Sequence, residues 1–243
     1  MTFLRQVQNL LERTYEGTGI NLEDCLVGRQ RCLELSRLAG PAAVELSLDG
    51  RTFLRMVRGR LYLAIYYHPW VIRELERHPP FMELSSRNIE ALIVFLEEVN
   101  HAVHAALRFL ENRLDTASEN AMRDLELQAR VDTYLSLELI GSALRRRHRL
   151  TRRQRGWLRR CLFEGESFHY QSPVLQHRYR EANRLGLRVA CHLDRLTSRR
   201  RIDFIRRFRS LGYDEKRRCI ENRSVRTSKT GKKFSCGLPV PRG

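Results

Sequence analysis

Residues 95–107, FLEEVNHAVHAAL, set two carboxylates, an amide and two imidazoles into an otherwise apolar run. At about 100° per residue, Glu90, Glu97, His101, His104, Arg108 and Glu111 fall on one narrow stripe of a helix spanning about 88–112, and Glu98 falls off it. Glu97 and His101 are i, i+4 neighbours and His104 follows a turn later, so the three side chains can converge. Carboxylate and imidazole are the ligands that suit zinc, iron or manganese, and a spare carboxylate beside them can act as a base on bound water. The competing reading is a thin solvent-facing stripe of i, i+4 pairs, which Glu90, Arg108 and Glu111 at its ends support.

A second clue lies on the next long helix, expected over about Ser118 to Arg147. There Leu125, Ala129, Asp132, Ser136, Leu139 and Ala143 share a face, so a carboxylate stands where an apolar residue is expected. A buried carboxylate needs a partner. Asp132 either joins Glu97, His101 and His104 around a divalent metal or forms a structural ion pair with Arg178, which lies beside Leu185 and Val189 on a helix expected over 173–196.

Two E-x-x-H segments, Glu98–His101 and Glu166–His169, resemble the helix motif of ferritin-like di-iron bundles. The second lies between Gly165 and Pro173, in a loop, so the di-iron chemistry is not carried over. The order of strand, E-E-V-N-H helix, D-L-E-L-Q-A-R-V-D-T-Y and R-Y-R-E-A-N also resembles a group of bacterial proteins without an assigned activity. That resemblance covers about 50–220 and implies a shared fold but no chemistry. Nucleotide-loop, nucleophile-elbow and H-E-x-x-H signatures are absent.

Charge is the strongest global signal. Residues 1–144 carry 16 arginines against 20 acids, whereas residues 145–243 carry 29 basic side chains against 8 acids. The second segment alone is therefore at +21, within a chain of net +17. Such asymmetry points to a polyanion, nucleic acid or an acidic protein. Its densest part is RRRHRLTRRQRGWLRR, with Arg145, Arg146, Arg147, Arg149, Arg152, Arg153, Arg155, Arg159 and Arg160 in sixteen positions and Trp157 available for stacking. The alternative is a solvated turn plus one core tryptophan.

Several elements must position these residues. An amphipathic helix is expected to about Glu16, a second from Asn21 to Leu38, and two or three antiparallel strands over 43–67, with Leu61, Leu63, Ile65 and Tyr67 on one face. Pro69 opens a short helix. Thr151 with Gln154 forms a capping box, Pro173 opens a further helix, and shorter ones follow near 199–210 and 214–221.

The expectation is thus a mainly helical α+β domain over 1–221, with a small antiparallel sheet in the N-terminal third and a disordered basic tail over 222–243. The six scattered cysteines lack zinc-finger spacing, and no apolar run or signal peptide indicates a membrane, so a cytoplasmic location is expected. Two functional classes stay open. The favoured one is a binding or accessory protein whose arginine-rich half contacts a polyanion; the other is a metal-dependent enzyme with Glu97, His101 and Asp132.

Overall fold

The helices begin where the sequence supplies caps. Thr2, Ser118, Thr151 and Ser172 each accept a hydrogen bond from an amide in the first turn that follows, which satisfies donors that a helix leaves open. The computed structural model describes residues 1–40, 49–146, 149–164 and 170–229, with side chains to residue 222. Its elements are α1 (Phe3–Thr14), a 3-10 turn (Leu22–Cys25), α2 (Arg29–Leu38), β1 (Gly50–Val57), β2 (Arg60–Tyr67) and α3 (Pro69–Arg77). There follow α4 (Ile89–Leu110), α5 (Glu119–Leu144), α6 (Arg152–Phe163), α7 (Pro173–Leu193), α8 (Ser198–Ser210) and α9 (Tyr213–Lys229).

The mainly helical α+β fold centres on α4, whose Leu92, Leu96, Val99, Ala102 and Val103 are wholly buried. Each large aliphatic side chain so placed contributes roughly 1.5–3 kcal/mol over an exposed one. Around α4 pack α1, α3, α5, α6 and the hairpin. A second apolar cluster joins Leu127 and Val131 of α5 to Leu185 and Val189 of α7 and to Ile205, Phe208 and Ile220 of α8 and α9.

The sheet is one hairpin in register Gly50↔Tyr67 through Val57↔Arg60. Its two-residue turn holds Arg58 at φ 48° and Gly59 at φ 73°, the type I′ geometry that matches strand twist. The root of the hairpin is pressed onto α4. Thr52 Oγ1 donates to Glu98 Oε2 at 2.7 Å, and Tyr67 donates to the Phe95 carbonyl at 3.1 Å. A Cβ added at Gly50 would meet Val94 Cγ1 at 2.7 Å and Glu98 Cγ at 2.9 Å.

The expected helix over Asn21–Leu38 is broken. Asn21 does cap a turn, but Val27 donates its amide to the Ile65 carbonyl at 2.9 Å, so Leu26 and Val27 lie along the sheet and the chain restarts as a helix after Gly28. The last helix continues to Lys229, beyond residue 221. The expected strand segment 43–48, Arg147, the Glu166–His169 motif, Cys236 and residues 230–243 lie outside the described residues. None of the five described cysteines forms a disulfide. Among the described residues no helix is long and apolar enough to cross a membrane.

The close approach at Gly50 predicts that Gly50→Ala destabilises the fold by about 1–3 kcal/mol, through overpacking against α4. Gly17 has open space around it, so Gly17→Ala should be neutral or stabilising by about 0.5 kcal/mol. Urea denaturation of both variants checks the contrast; equal effects would show that the hairpin root is not clamped.

Candidate functional site

From Glu97 to Arg108 the polar stripe of α4 faces α5, while Glu90 at its start is exposed. Glu97 Oε1 meets Arg130 at 2.9 Å, Asn100 donates to Thr133 Oγ1 at 3.0 Å, His101 Nε2 lies 3.5 Å from Glu126, and Arg108 meets Asp124 at 2.7 Å. Pairing falls along α5 as it climbs along α4, so the two helices run antiparallel. Over Glu97 to Arg108 the stripe expected to face solvent is therefore a seam of buried and partly buried pairs, and the solvent-facing reading holds at Glu90.

Asp132 sits in the middle of that seam, 2% exposed. It accepts from His104 Nε2, from Tyr15 Oη at 2.6 Å and from Gln128 Nε2 at 3.0 Å. Burial lowers the His104 pKa from its usual value despite the pull of Asp132, so the imidazole is neutral at pH 7 and its Nε2 carries the proton that Asp132 accepts. Burial likewise raises Tyr15 well above the ordinary tyrosine range, with Asp132 adding to the effect. Tyr15 is placed by the C-cap of α1, where its amide closes onto the Leu11 carbonyl.

The expected Asp132–Arg178 pair does not form. Arg178 instead binds Glu119 at the start of α5, its Nε 3.1 Å from Oε1, because Asp132 is already saturated from α1, α4 and its own helix. Glu97, His101, His104 and Asp132, expected to share a metal, are divided among Arg130, Glu126 and each other. Among the described residues no group of three or more His, Cys, Asp or Glu side chains is placed to hold a metal ion.

From Gln128 the seam continues to a wholly buried lysine. Lys216 Nζ donates to Gln128 Oε1 at 2.6 Å, lies 2.8 Å from Asp124 Oδ1, and sits 5.1 Å from the centre of the Phe208 ring. Arg108 NH2, besides its Asp124 contact, donates to the carbonyls of Arg209 and Leu211, each at 2.7 Å. Arg209 in turn pairs with Glu111 and covers the Tyr15 ring. Asp132, Asp124 and Glu111 are thus opposed by Lys216, Arg108 and Arg209. Along this stretch three acids therefore face three cations.

Of the nine arginines expected to bind a polyanion, the eight among the described residues divide into two groups. Arg155 Nε lies 3.1 Å from Asp194 Oδ1, Arg159 binds the other oxygen of that carboxylate, and Arg149 donates to the carbonyl of Asp194, the C-cap of α7. Arg201 joins them, 2.6 Å from Glu138 Oε2, and Tyr134 donates to Asp194 at 2.7 Å. These guanidiniums close the carbonyl end of α7, where positive charge is favoured. They are structural. Burial and the neighbouring Arg201 and Arg155 lower the Arg149 pKa, as expected where cations outnumber acids.

The side chains of Arg145, Arg146, Arg152, Arg153 and Arg160 form no ion pair with a described residue and are exposed to solvent. The capping box at Thr151 and Gln154 opens α6. Arg145, Arg153 and Arg160 then border one cleft of about 340 Å³ with Trp157, over an apolar floor that includes Leu84 and Leu150. No acid lines it. A cleft of about 380 Å³ elsewhere, between the starts of α5 and α9, is walled by Arg108 and Arg113 but also by Asp115, Asp124, Asp214 and Glu215. Only the first of these two has the sign of charge for an anion.

Compared with protein-family models, curated proteins and solved structures, the chain matches none. Sequence reasoning passed over Tyr15, Gln128, Asp194 and Lys216. A signal existed for the last: Lys216 is the single lysine in residues 1–228, a stretch whose other strongly basic side chains are all arginine. An ammonium can be enclosed in, and can lose its proton to, a dry core, whereas a guanidinium keeps its charge.

Burial depresses the Lys216 pKa from 10.5 to about 8. Between those values the unfolded chain binds more protons than the folded one, so this lysine makes stability rise as pH climbs from about 8 towards 10.5, by on the order of 3 kcal/mol in all. Lys216→Met removes that contribution while leaving the titrations of the tyrosines and cysteines in place. The stability of wild type relative to Lys216→Met, read by urea denaturation at pH 7 and pH 10, should therefore increase at the higher pH. A difference independent of pH would place Lys216 in water.

Proposed function

We propose that the protein is a nucleic-acid-binding accessory protein whose contact surface is the α5–α6 junction. The observation that carries this reading is the split among the arginines of residues 145–160. Three are consumed by Asp194 and its neighbours, and five project from the fold with no internal acid to neutralise them. Exposed guanidiniums held at the end of α5 (Arg145, Arg146) and along α6 (Arg152, Arg153, Arg160) are pre-positioned, so they lose less freedom on meeting phosphate than a flexible basic segment does. Guanidinium also matches phosphate with paired hydrogen bonds. Contacts of this kind are largely indifferent to base sequence, and their strength falls steeply with salt as condensed counterions are released.

Reversal of the outward pair, Arg153→Glu with Arg160→Glu, should lower affinity for DNA or RNA more than about tenfold at about 0.1 M salt and leave thermal stability close to wild type. Removing one outward arginine as alanine should make the plot of log K against log salt shallower by about 1. Arg155→Glu and Arg159→Glu should behave oppositely, losing fold stability because Asp194 is left facing a like charge. Filter binding or fluorescence anisotropy over a salt series, with a melting curve for each variant, reads both effects. Failure of the intact protein to bind any nucleic acid at about 0.1 M salt would overturn the reading.

A further inference from the structure

The α5–α6 cleft has an aromatic wall that phosphate contacts alone do not use. Trp157 is half-buried, packed against the main apolar core and lining the cleft beside Leu158. Leu84 and Leu150 reach the floor because α5 carries glycine at position 141; a Cβ there would stand 3.2 Å from Leu84 Cδ1 and 3.1 Å from Leu150 Cδ1. The cleft therefore offers a flat indole and an apolar base, rimmed by Arg145, Arg153 and Arg160.

Resting on the nucleic-acid reading above, we infer that this cleft takes an unpaired nucleobase of a single-stranded polynucleotide, stacked on Trp157, with the flanking phosphates on the rim arginines. In a duplex both faces of every internal base are covered by its neighbours, and only the charged backbone is offered to a concave surface. Such a backbone can meet the arginines but cannot fill an apolar floor. An unstacked base supplies a planar apolar face for the indole, while its own phosphates stay within reach of guanidiniums a few ångströms away. Every base has such a face, so the preference is for strandedness and not for sequence. Among the described residues the rim carries no acid to repel the phosphates.

The test compares a fluorescein-labelled oligothymidylate of about 16 residues with a duplex of the same length. The full chain should bind the single strand more tightly, and tryptophan emission should be quenched by the single strand and not by the duplex. Trp157→Leu keeps apolar bulk against the core and removes the ring; it should lower single-strand affinity by about 5- to 100-fold and leave duplex affinity unchanged. Trp157→Phe should retain most of the binding. Equal affinity for the two forms, or loss in Trp157→Leu that is the same for both, overturns the stacking inference while leaving the phosphate reading intact, provided that Arg153→Glu with Arg160→Glu still weakens both. No binding of either oligonucleotide overturns both.

Discussion

Everything in the fold is built outward from a polar seam between two helices that are otherwise apolar. A buried charge lacking a partner costs several kcal/mol, so Asp132, Asp124 and Arg108 cannot tolerate a neighbour of the wrong type. Each is met from a different part of the chain: Asp132 by Tyr15 at the end of α1 and His104 of α4, Asp124 by Lys216 of α9, and Arg108 by the backbone that joins α8 to α9. A rotation of α5 by one position would break every contact of Asp132 and Asp124 together. The seam thus fixes how five helices are turned about their axes, which apolar packing alone specifies less sharply.

This division explains which features were legible in the sequence. The helix starts were, because a cap is a local device: Thr151 and Gln154 satisfy each other's amides within four residues. The hairpin was, since Arg58-Gly59 and alternating apolar residues are also local. Asp132 could be recognised as misplaced on an apolar face, but its partners could not be named. Tyr15 lies 117 positions away, outside any helix periodicity, and nothing local distinguishes it from a surface tyrosine. Arg178 had the correct sign and a plausible face, yet packing brings it to Glu119, a full helix end away from Asp132. The break before α2 was missed because the amide of Val27 is claimed by a strand nearly forty residues later, a tertiary demand that overrides a good local helix pattern.

The arginines show a related limit of composition. Counting charge treats Arg153 and Arg155 alike, although they are two positions apart and project differently: one borders the open cleft and the other is bound to Asp194. Within a helix, two positions correspond to about 200° of rotation, enough to turn one guanidinium inward and leave the next outside. A basic segment is therefore both scaffold and surface, and the acids it encloses decide the split. Asp194 and Glu138 are those acids here.

The burial of Lys216 has a practical corollary. It is the only ε-amine between the N-terminus and residue 229, and none of its surface meets solvent. Reagents that acylate amines will then leave the body of the native protein unmarked, and a lysine-specific protease will find no site in it. Any acylation at position 216 reports that α9 has swung off α5. The molecule carries its own single-site gauge of local opening, with a background set only by its amino terminus and its last few lysines.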